Sequence, residues 1–103
     1  MNLSDEQKKE IKELAELQKT PRAIALILGL EVEAFERQAL TEYTEAWNAV
    51  QAGYETADLT LRRAIYGQAK AGSTAAIEQF QCFQREVKLY ERNHRHKRTQ
   101  GRP

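Results

Sequence analysis

The sequence predicts an all-α protein in which an N-terminal three-helix head is followed by a long helical hairpin and a basic tail. Three observations lead to this prediction. Apolar residues recur at spacings of three and four along most of the 103-residue chain, which is the period of an amphipathic helix. Pro and Gly are sparse, and the few present lie where helices should stop. Residues that cap helices, such as Ser4 and Thr20, precede the apolar stripes.

The head, residues 1–40, is predicted to begin with a helix capped by Ser4. Gln7 stands three residues on, as in a capping box. This helix is expected to end near Gln18. Its predicted apolar stripe consists of Ile11, Leu14, Ala15 and Leu17.

Two further helices and a tight turn complete the predicted head. Thr20 and Pro21 have the residue types of an N-cap and a first helical position, so a short helix should follow over residues 22–28. Gly29 can adopt the left-handed conformation that turns the chain, and a third helix should run over residues 32–40. The predicted core side chains of these two helices are Ile24, Ile27, Leu28, Phe35 and Leu40. The sequence thus predicts a helix-turn-helix within residues 14–40.

Residues 41–92 are predicted to form a helical hairpin. One long helix should run over residues 41–71, Gly72 should close it, and Ser73 or Thr74 should cap a last helix over residues 75–92. A two-helix hairpin cannot bury both of its faces, so we expect self-association through this segment. The predicted interface residues are Trp47, Val50, Tyr54, Leu61, Ile77, Phe80, Phe83, Val87 and Tyr90. The tail, residues 93–103, has no apolar periodicity and is predicted to be flexible.

Composition and charge limit the compartments and partners to expect. No run approaches ~20 apolar residues and the first residues lack an apolar signal core, so neither a membrane span nor secretion is predicted. A single cysteine, Cys82, fits a reducing cytosol. Residues 1–84 carry a net charge of −4, whereas residues 85–103 carry +5. The basic end is therefore predicted to meet a polyanion or an acidic partner.

Two segments of the chain resemble the small terminase subunits of tailed bacteriophages. They are LAELQKTPRAIALILGL, followed by a long helix, and AKAGSTAAIEQF, which matches a phrase of the type A-x-x-G-(N/D/S)-x-x-A often found before the last helix of those proteins. The resemblance covers residues 14–90. It implies a helix-turn-helix, a hairpin that assembles rings, recognition of viral DNA, its delivery to the large ATPase-nuclease subunit, and no catalysis by the chain itself. The acidic third helix departs from the simplest version of this family.

Candidate DNA contacts lie in the head and in the tail. Arg37 and Gln38 in the third helix have side chains that can pair with guanine and adenine in the major groove. Lys19, Thr20 and Arg22 would contact phosphates, helped by the N-terminus of the second helix. The basic residues of the tail segment would neutralise phosphates, and they are Arg92, Arg95, Lys97, Arg98 and Arg102.

Each of these interpretations has an alternative. Glu31, Glu33 and Glu36 lie on or beside the surface of the third helix and would be repelled by phosphates, so the head is alternatively a structural or protein-binding unit. The tail is alternatively a solvated terminus or a segment that docks on an acidic surface of a partner. The aromatic residues of the hairpin are interpreted as core or interface rather than as platforms for base stacking.

The sequence contains no pattern that indicates catalysis or a cofactor. A Gly-rich phosphate loop, a Ser-His-Asp set and a helical His-Glu-His cluster are all missing from it. His94 and His96 lack further ligands at suitable spacing, so we expect them to add positive charge below neutral pH rather than to bind a metal. A non-enzymatic protein without cofactor or metal is predicted.

The function predicted from the sequence is that of a phage small terminase subunit. Its partners would be double-stranded DNA, further copies of itself in a ring, and the large terminase subunit, in the cytoplasm of a bacterial host cell and without a membrane. Weak DNA contacts of each copy would add up around the ring through effective concentration. The alternatives are a dimeric helix-turn-helix transcription regulator and a protein adaptor whose acidic head binds a basic partner.

Overall fold

The computed structural model describes residues 1–100, with their side chains through Arg95, and these residues form helices and no β-strand. The helices are α1 (Asp5–Glu16), α2 (Pro21–Leu28), α3 (Val32–Ala39), α4 (Glu45–Lys70) and α5 (Thr74–Gln100). The predicted all-α class is confirmed. The chain divides into two compact units, of which the first is Met1–Thr60 and the second begins at Leu61. This division lies inside α4, whereas the sequence placed a boundary after Leu40.

Local hydrogen bonds fix the start of α1 and of α2. The Ser4 hydroxyl accepts a hydrogen bond from the Gln7 amide at 3.1 Å, and the Gln7 side chain accepts one from the Ser4 amide at 2.9 Å. The Thr20 hydroxyl accepts one from the Ala23 amide at 3.2 Å, and Pro21 follows it at the first helical position. Both predicted caps are therefore present, and they satisfy amides that a helix start leaves without a partner.

The turn between α2 and α3 depends on one glycine. Gly29 has a φ of +71°, a conformation that L side chains rarely adopt, and its amide donates to the Ala25 carbonyl. α3 then begins at Val32, where the Glu31 carboxylate accepts a hydrogen bond from the Ala34 amide at 2.6 Å. The acidic residue before α3 is thus its cap, a role that was not predicted from the sequence.

The start of α4 differs from the prediction. The sequence indicated a helix from Thr41, but residues 41–44 form a turn in which Tyr43 has a φ of +71°. The Thr44 hydroxyl donates to the Gln38 carbonyl at 2.6 Å and accepts from the Trp47 amide at 3.1 Å, so Thr44 caps α4. The Thr44 hydroxyl thus forms hydrogen bonds with both α3 and α4, and these bonds stabilise a turn where the sequence has no Gly or Pro.

The first unit contains a continuous hydrophobic core. Its largest fully buried side chains are Phe35, Ile11, Ile24 and Val50. α4 crosses α1 closely at Gly53, where a Cβ atom would collide with the Lys12 carbonyl oxygen and the Ala15 side chain. The absence of a side chain at Gly53 therefore allows α4 to pack against α1.

Three apolar side chains predicted for this core are instead exposed. Leu17, Ile27 and Leu40 are 73%, 55% and 76% exposed. Leu17 and Leu40 are the C-caps of α1 and α3, where the chain leaves the helical path. Ile27 lies within α2, beside the face that Ile24 and Ala25 bury, and therefore outside the core.

The second unit contains the end of α4, a turn and α5. Gly72 has a φ of +98° in the turn, and the Ser73 hydroxyl accepts a hydrogen bond from the Ala76 amide at 3.3 Å, as a cap of α5. α5 continues to Gln100, beyond Arg92 where the sequence predicted its end. None of the helices among the described residues combines the length and the apolar character that a membrane span requires.

Candidate nucleic-acid interface

The residues before α2 are held in place by the first unit. The Tyr54 hydroxyl donates a hydrogen bond to the Lys19 carbonyl at 3.0 Å, and burial raises the pKa of Tyr54. The Thr20 hydroxyl is engaged as the α2 cap. Lys19 and Thr20 are both exposed, so the N-terminus of α2 is open to a phosphate.

Arg22 is paired with the acidic helix that follows it. Its guanidinium lies 3.4 Å from the Glu36 carboxylate, and this ion pair joins α2 to α3. The pair neutralises one of the three glutamates that would repel a phosphate. The ion pair also restrains the Arg22 guanidinium, which was predicted from the sequence to contact a DNA phosphate.

The outer surface of α3 is only weakly suited to base recognition. Arg37 is exposed, whereas Gln38 is half-buried and Glu33 is exposed beside them. Glu31 is engaged as the cap and Glu36 in the ion pair. Glu33 is therefore the acidic side chain of this segment that has no ion pair or hydrogen bond among the described residues.

The C-terminal helix presents a row of basic side chains. The sequence predicted two of them for a DNA-binding tail and left the other two in the hairpin without a role. Arg85, Lys88, Arg92 and Arg95 recur at spacings of three and four, and all four are exposed. They therefore lie on one side of α5, which we call the α5 basic face. Arg85 and Lys88 lie inside the helix predicted over residues 75–92 but were not assigned to DNA. Arg95 joins them in one row because α5 continues past Arg92. Lys97, Arg98 and Arg102 lie outside the residues whose side chains are described.

The opposite side of α5 carries aromatic and aliphatic residues. Phe80, Phe83, Val87 and Tyr90 follow one another at spacings of three and four, and we call this row the apolar seam. Phe80 lies 5.2 Å from the Tyr66 ring and 6.1 Å from the Phe83 ring, measured between centroids. The seam is therefore covered by α4 only at its beginning.

Arg62 of α4 packs against the apolar seam at Phe83, where the part of the seam covered by α4 ends. Its guanidinium lies 4.0 Å from the Phe83 ring centroid and 3.0 Å from the Glu86 carboxylate. Beyond it, Val87 and Tyr90 are 56% and 62% exposed. Leu61 and Ile77, also predicted for an interface, are exposed as well. These residues remain candidates for contact with another copy.

Two residues predicted for the oligomer interface belong to the core of the first unit. Val50 is 1% exposed, and Tyr54 packs against the same core. Trp47 is half-buried, with its ring 5.4 Å from the Tyr43 ring in an edge-on arrangement. Val50 therefore cannot contact a second copy, because the first three helices and α4 already enclose it.

A lysine-lined groove, with a volume of about 420 Å³, lies along α1. The groove is formed by Lys8, Lys9, Lys12, Glu45, Asn48 and Ala49. Glu45 accepts a hydrogen bond from the Leu3 amide at 3.3 Å and lies 3.3 Å from the Lys8 ammonium group. These contacts, the Leu3 bond above all, lower the pKa of Glu45. No three potential metal-ligating side chains come together within residues 1–95.

Comparison of the chain with protein-family models, with curated proteins and with solved structures finds no match. The assignment of a function therefore depends on the geometry and charge of the chain itself.

Proposed function

We propose that this chain is a DNA-binding, self-associating protein of the small terminase type, with a helix-turn-helix in its first unit. The observation that carries the proposal is the two-sided character of α5. One side is the α5 basic face, and the other is an apolar seam that α4 leaves partly uncovered. A basic helix face fits the DNA backbone, and an uncovered apolar seam fits another copy of the chain.

The geometry of α2 and α3 supports a DNA-facing role of the first unit. A cap at Thr20, a turn at Gly29 and the packing of α3 on α2 are features of a helix-turn-helix. The exposed α2 N-terminus can bind a phosphate, and Arg37 is exposed on α3. The first unit carries six basic and twelve acidic residues, a net charge of −6, so its DNA contact is weak in a single copy.

Assembly compensates for the weak contact of each copy. The ten basic and three acidic residues from Leu61 onward give a net charge of +7, which attracts DNA without sequence preference. Several copies held together through the seam raise the effective concentration of every further contact. The proposed role is to collect viral DNA and present it to the large terminase subunit in the host cytoplasm, without catalysis by this chain.

A gel shift at low salt tests DNA binding by the full chain. The variant Lys88→Gln/Arg92→Gln should bind more weakly, and its log affinity should fall less steeply with log salt. The slope should change by about 0.9 for each DNA phosphate that the variant no longer neutralises. The matched control Lys12→Gln/Arg63→Gln removes the same charge outside the α5 basic face and should weaken binding clearly less than Lys88→Gln/Arg92→Gln does.

Two results would contradict the proposal. Equal weakening by both variants would mean that only net charge matters. Absence of DNA binding by the full chain at low salt would favour the second candidate, a protein adaptor. The net charge of −6 on the first unit is the observation that favours an adaptor for a basic partner.

A further inference from the structure

The exposed side of α1 mirrors the α5 basic face in spacing and in charge. Glu6, Glu10 and Glu13 recur at spacings of four and three, and the exposed Leu17 follows four residues later. Glu6 and Glu13 are exposed, and Glu10 is half-buried. These four residues form what we call the α1 acidic face. No ion pair found among the described residues involves its three glutamates.

We propose that, in the assembled protein, the α5 basic face of one copy is covered by the α1 acidic face of a second copy. This inference rests on the self-association in the proposed function, and it names the surfaces that meet. The contact is heterologous, because two different surfaces join, and repetition of such a contact generates a closed ring when the rotation between copies permits it.

Length and charge favour a second copy as the occupant. Arg85 to Arg95 and Glu6 to Leu17 each extend along a helix by about 15 Å at 1.5 Å per residue. The first unit carries −6 and the second +7, so copies attract one another through unlike units. Lys88 and Arg92 take part in none of the ion pairs found among the described residues.

Each face also has an exposed leucine. Leu17 ends the acidic row at 73% exposure, and Leu89 lies beside the basic row at 54% exposure. The two leucines can therefore add an apolar contact at the edge of the charged rows, as protein interfaces combine apolar and charged side chains. Lys9 lies on the same side of α1 and weakens the attraction, whereas Lys8 is held by Glu45.

DNA is the competing occupant of the α5 basic face. A neighbouring copy already held in the assembly acts at a high effective concentration, so it covers this face when DNA is absent. DNA and the α1 acidic face therefore compete for the same basic side chains of α5.

A charge exchange between two variants tests the contact. Glu10→Lys/Glu13→Lys reverses the acidic face, and Lys88→Glu/Arg92→Glu reverses the basic face. Each variant alone should associate at least about tenfold more weakly than the natural chain, because like charges meet at every contact. An equal mixture should recover association, with an average mass well above that of either variant alone, because each variant then meets an unlike face of the other. The mass is measured by analytical ultracentrifugation at low salt, and circular dichroism checks that each variant keeps its helices.

The control variant is Glu42→Lys/Glu55→Lys, which makes the same charge change on exposed residues outside α1. It should keep the natural mass, and a loss equal to that of Glu10→Lys/Glu13→Lys would overturn the inference. The inference is also wrong if either face variant alone assembles as the natural chain does, or if the mixture fails to recover. A monomeric natural chain would contradict both this contact and the proposed self-association, whereas an oligomer unaffected by the variants contradicts only the contact.

Discussion

The two units of the chain differ in how completely they bury their apolar side chains. In the first unit Phe35, Ile11 and Ile24 are fully buried, and four helices contribute to one core. Within residues 61–95 the buried apolar residues are Ile65 and Ala76, at 8% and 5% exposure. The first unit therefore contains the core it needs, whereas the second unit leaves much of its apolar surface in water.

This difference assigns different roles to the two units. A packed core stabilises a unit independently of concentration, because its contacts are internal. An uncovered apolar seam is stabilised only when another molecule covers it. The first unit is thus expected to fold alone, and the second to gain its stability from association.

Truncation of the core of the first unit should have the largest effect. Phe35→Ala removes a fully buried ring and should lower the free energy of unfolding by about 3–5 kcal/mol, measured by urea denaturation. Leu26→Ala is the control, because Leu26 is 61% exposed, and it should change that free energy by no more than about 0.5 kcal/mol. Similar losses in both variants would contradict the difference in burial.

The second unit should respond to protein concentration. Raising the concentration hundredfold above the dissociation constant stabilises an associating state by about 2.7 kcal/mol. Hydrogen exchange of α5 amides should slow accordingly, while exchange in the core of α3 should not change. The variant Val87→Asp/Tyr90→Asp should abolish the dependence, and its persistence in that variant would mean that the seam is not the interface.

The close helix crossing at Gly53 should tolerate no side chain. Gly53→Ala places a Cβ against the Lys12 carbonyl and should destabilise the first unit by about 1–3 kcal/mol. Gly67→Ala is a matched control in the same helix, because a Cβ there meets nothing within 4 Å, and it should stabilise by about 0.5–1 kcal/mol. The midpoint of thermal unfolding should fall in Gly53→Ala and rise in Gly67→Ala. A change in the same direction in both variants would contradict the close packing of α4 on α1 at Gly53.

Loss of the Tyr54 hydroxyl should have a smaller effect. Tyr54→Phe removes the hydrogen bond to the Lys19 carbonyl and should lower the free energy of unfolding by about 0.5–1.5 kcal/mol. Tyr43→Phe is the control, since Tyr43 is 79% exposed. DNA affinity should also fall in Tyr54→Phe if this bond positions the N-terminus of α2. An unchanged affinity would mean that the bond stabilises the first unit but does not contribute to DNA binding.

Acid should weaken the first unit through Glu45. The Leu3 amide and the Lys8 ammonium group lower the pKa of Glu45 in the folded chain, so unfolding allows the carboxylate to bind a proton more readily. This contribution to stability is fully present above the unfolded-state value of 4.5 and is lost as pH falls through the lower folded pKa. Urea midpoints at pH 7 and below pH 4 should differ less in Glu45→Gln than in Glu55→Gln. Equal changes of the urea midpoint with pH in the two variants would contradict a role of Glu45 in the acid sensitivity of the first unit.

The local signals in the sequence predicted most of the helix boundaries. Ser4 with Gln7, Thr20 with Pro21, and Gly29 act through neighbouring residues, so their roles can be inferred from spacing alone. The cap at Thr44 could not be inferred in this way, because its partner is the Gln38 carbonyl of another helix. Leu17 and Leu40 were misplaced because periodicity does not indicate where a short helix leaves the core.

The candidate site was less predictable than the fold. Spacing identified the seam from Phe80 to Tyr90, but burial of Val50 depends on how four helices pack together. Arg22 was assigned to DNA because a sequence cannot show that Glu36 lies 3.4 Å away. Arg95 lies in one row with Arg85 and Lys88 because α5 continues past the end that the sequence predicted.

If further copies of the chain complete the second unit, the chain must be an oligomer in solution. Native mass spectrometry of the full chain at micromolar concentrations measures this most directly. We expect a single assembly of more than two copies of the 11.9 kDa chain, which the Val87→Asp/Tyr90→Asp variant should lose. A monomer throughout that concentration range would contradict the account.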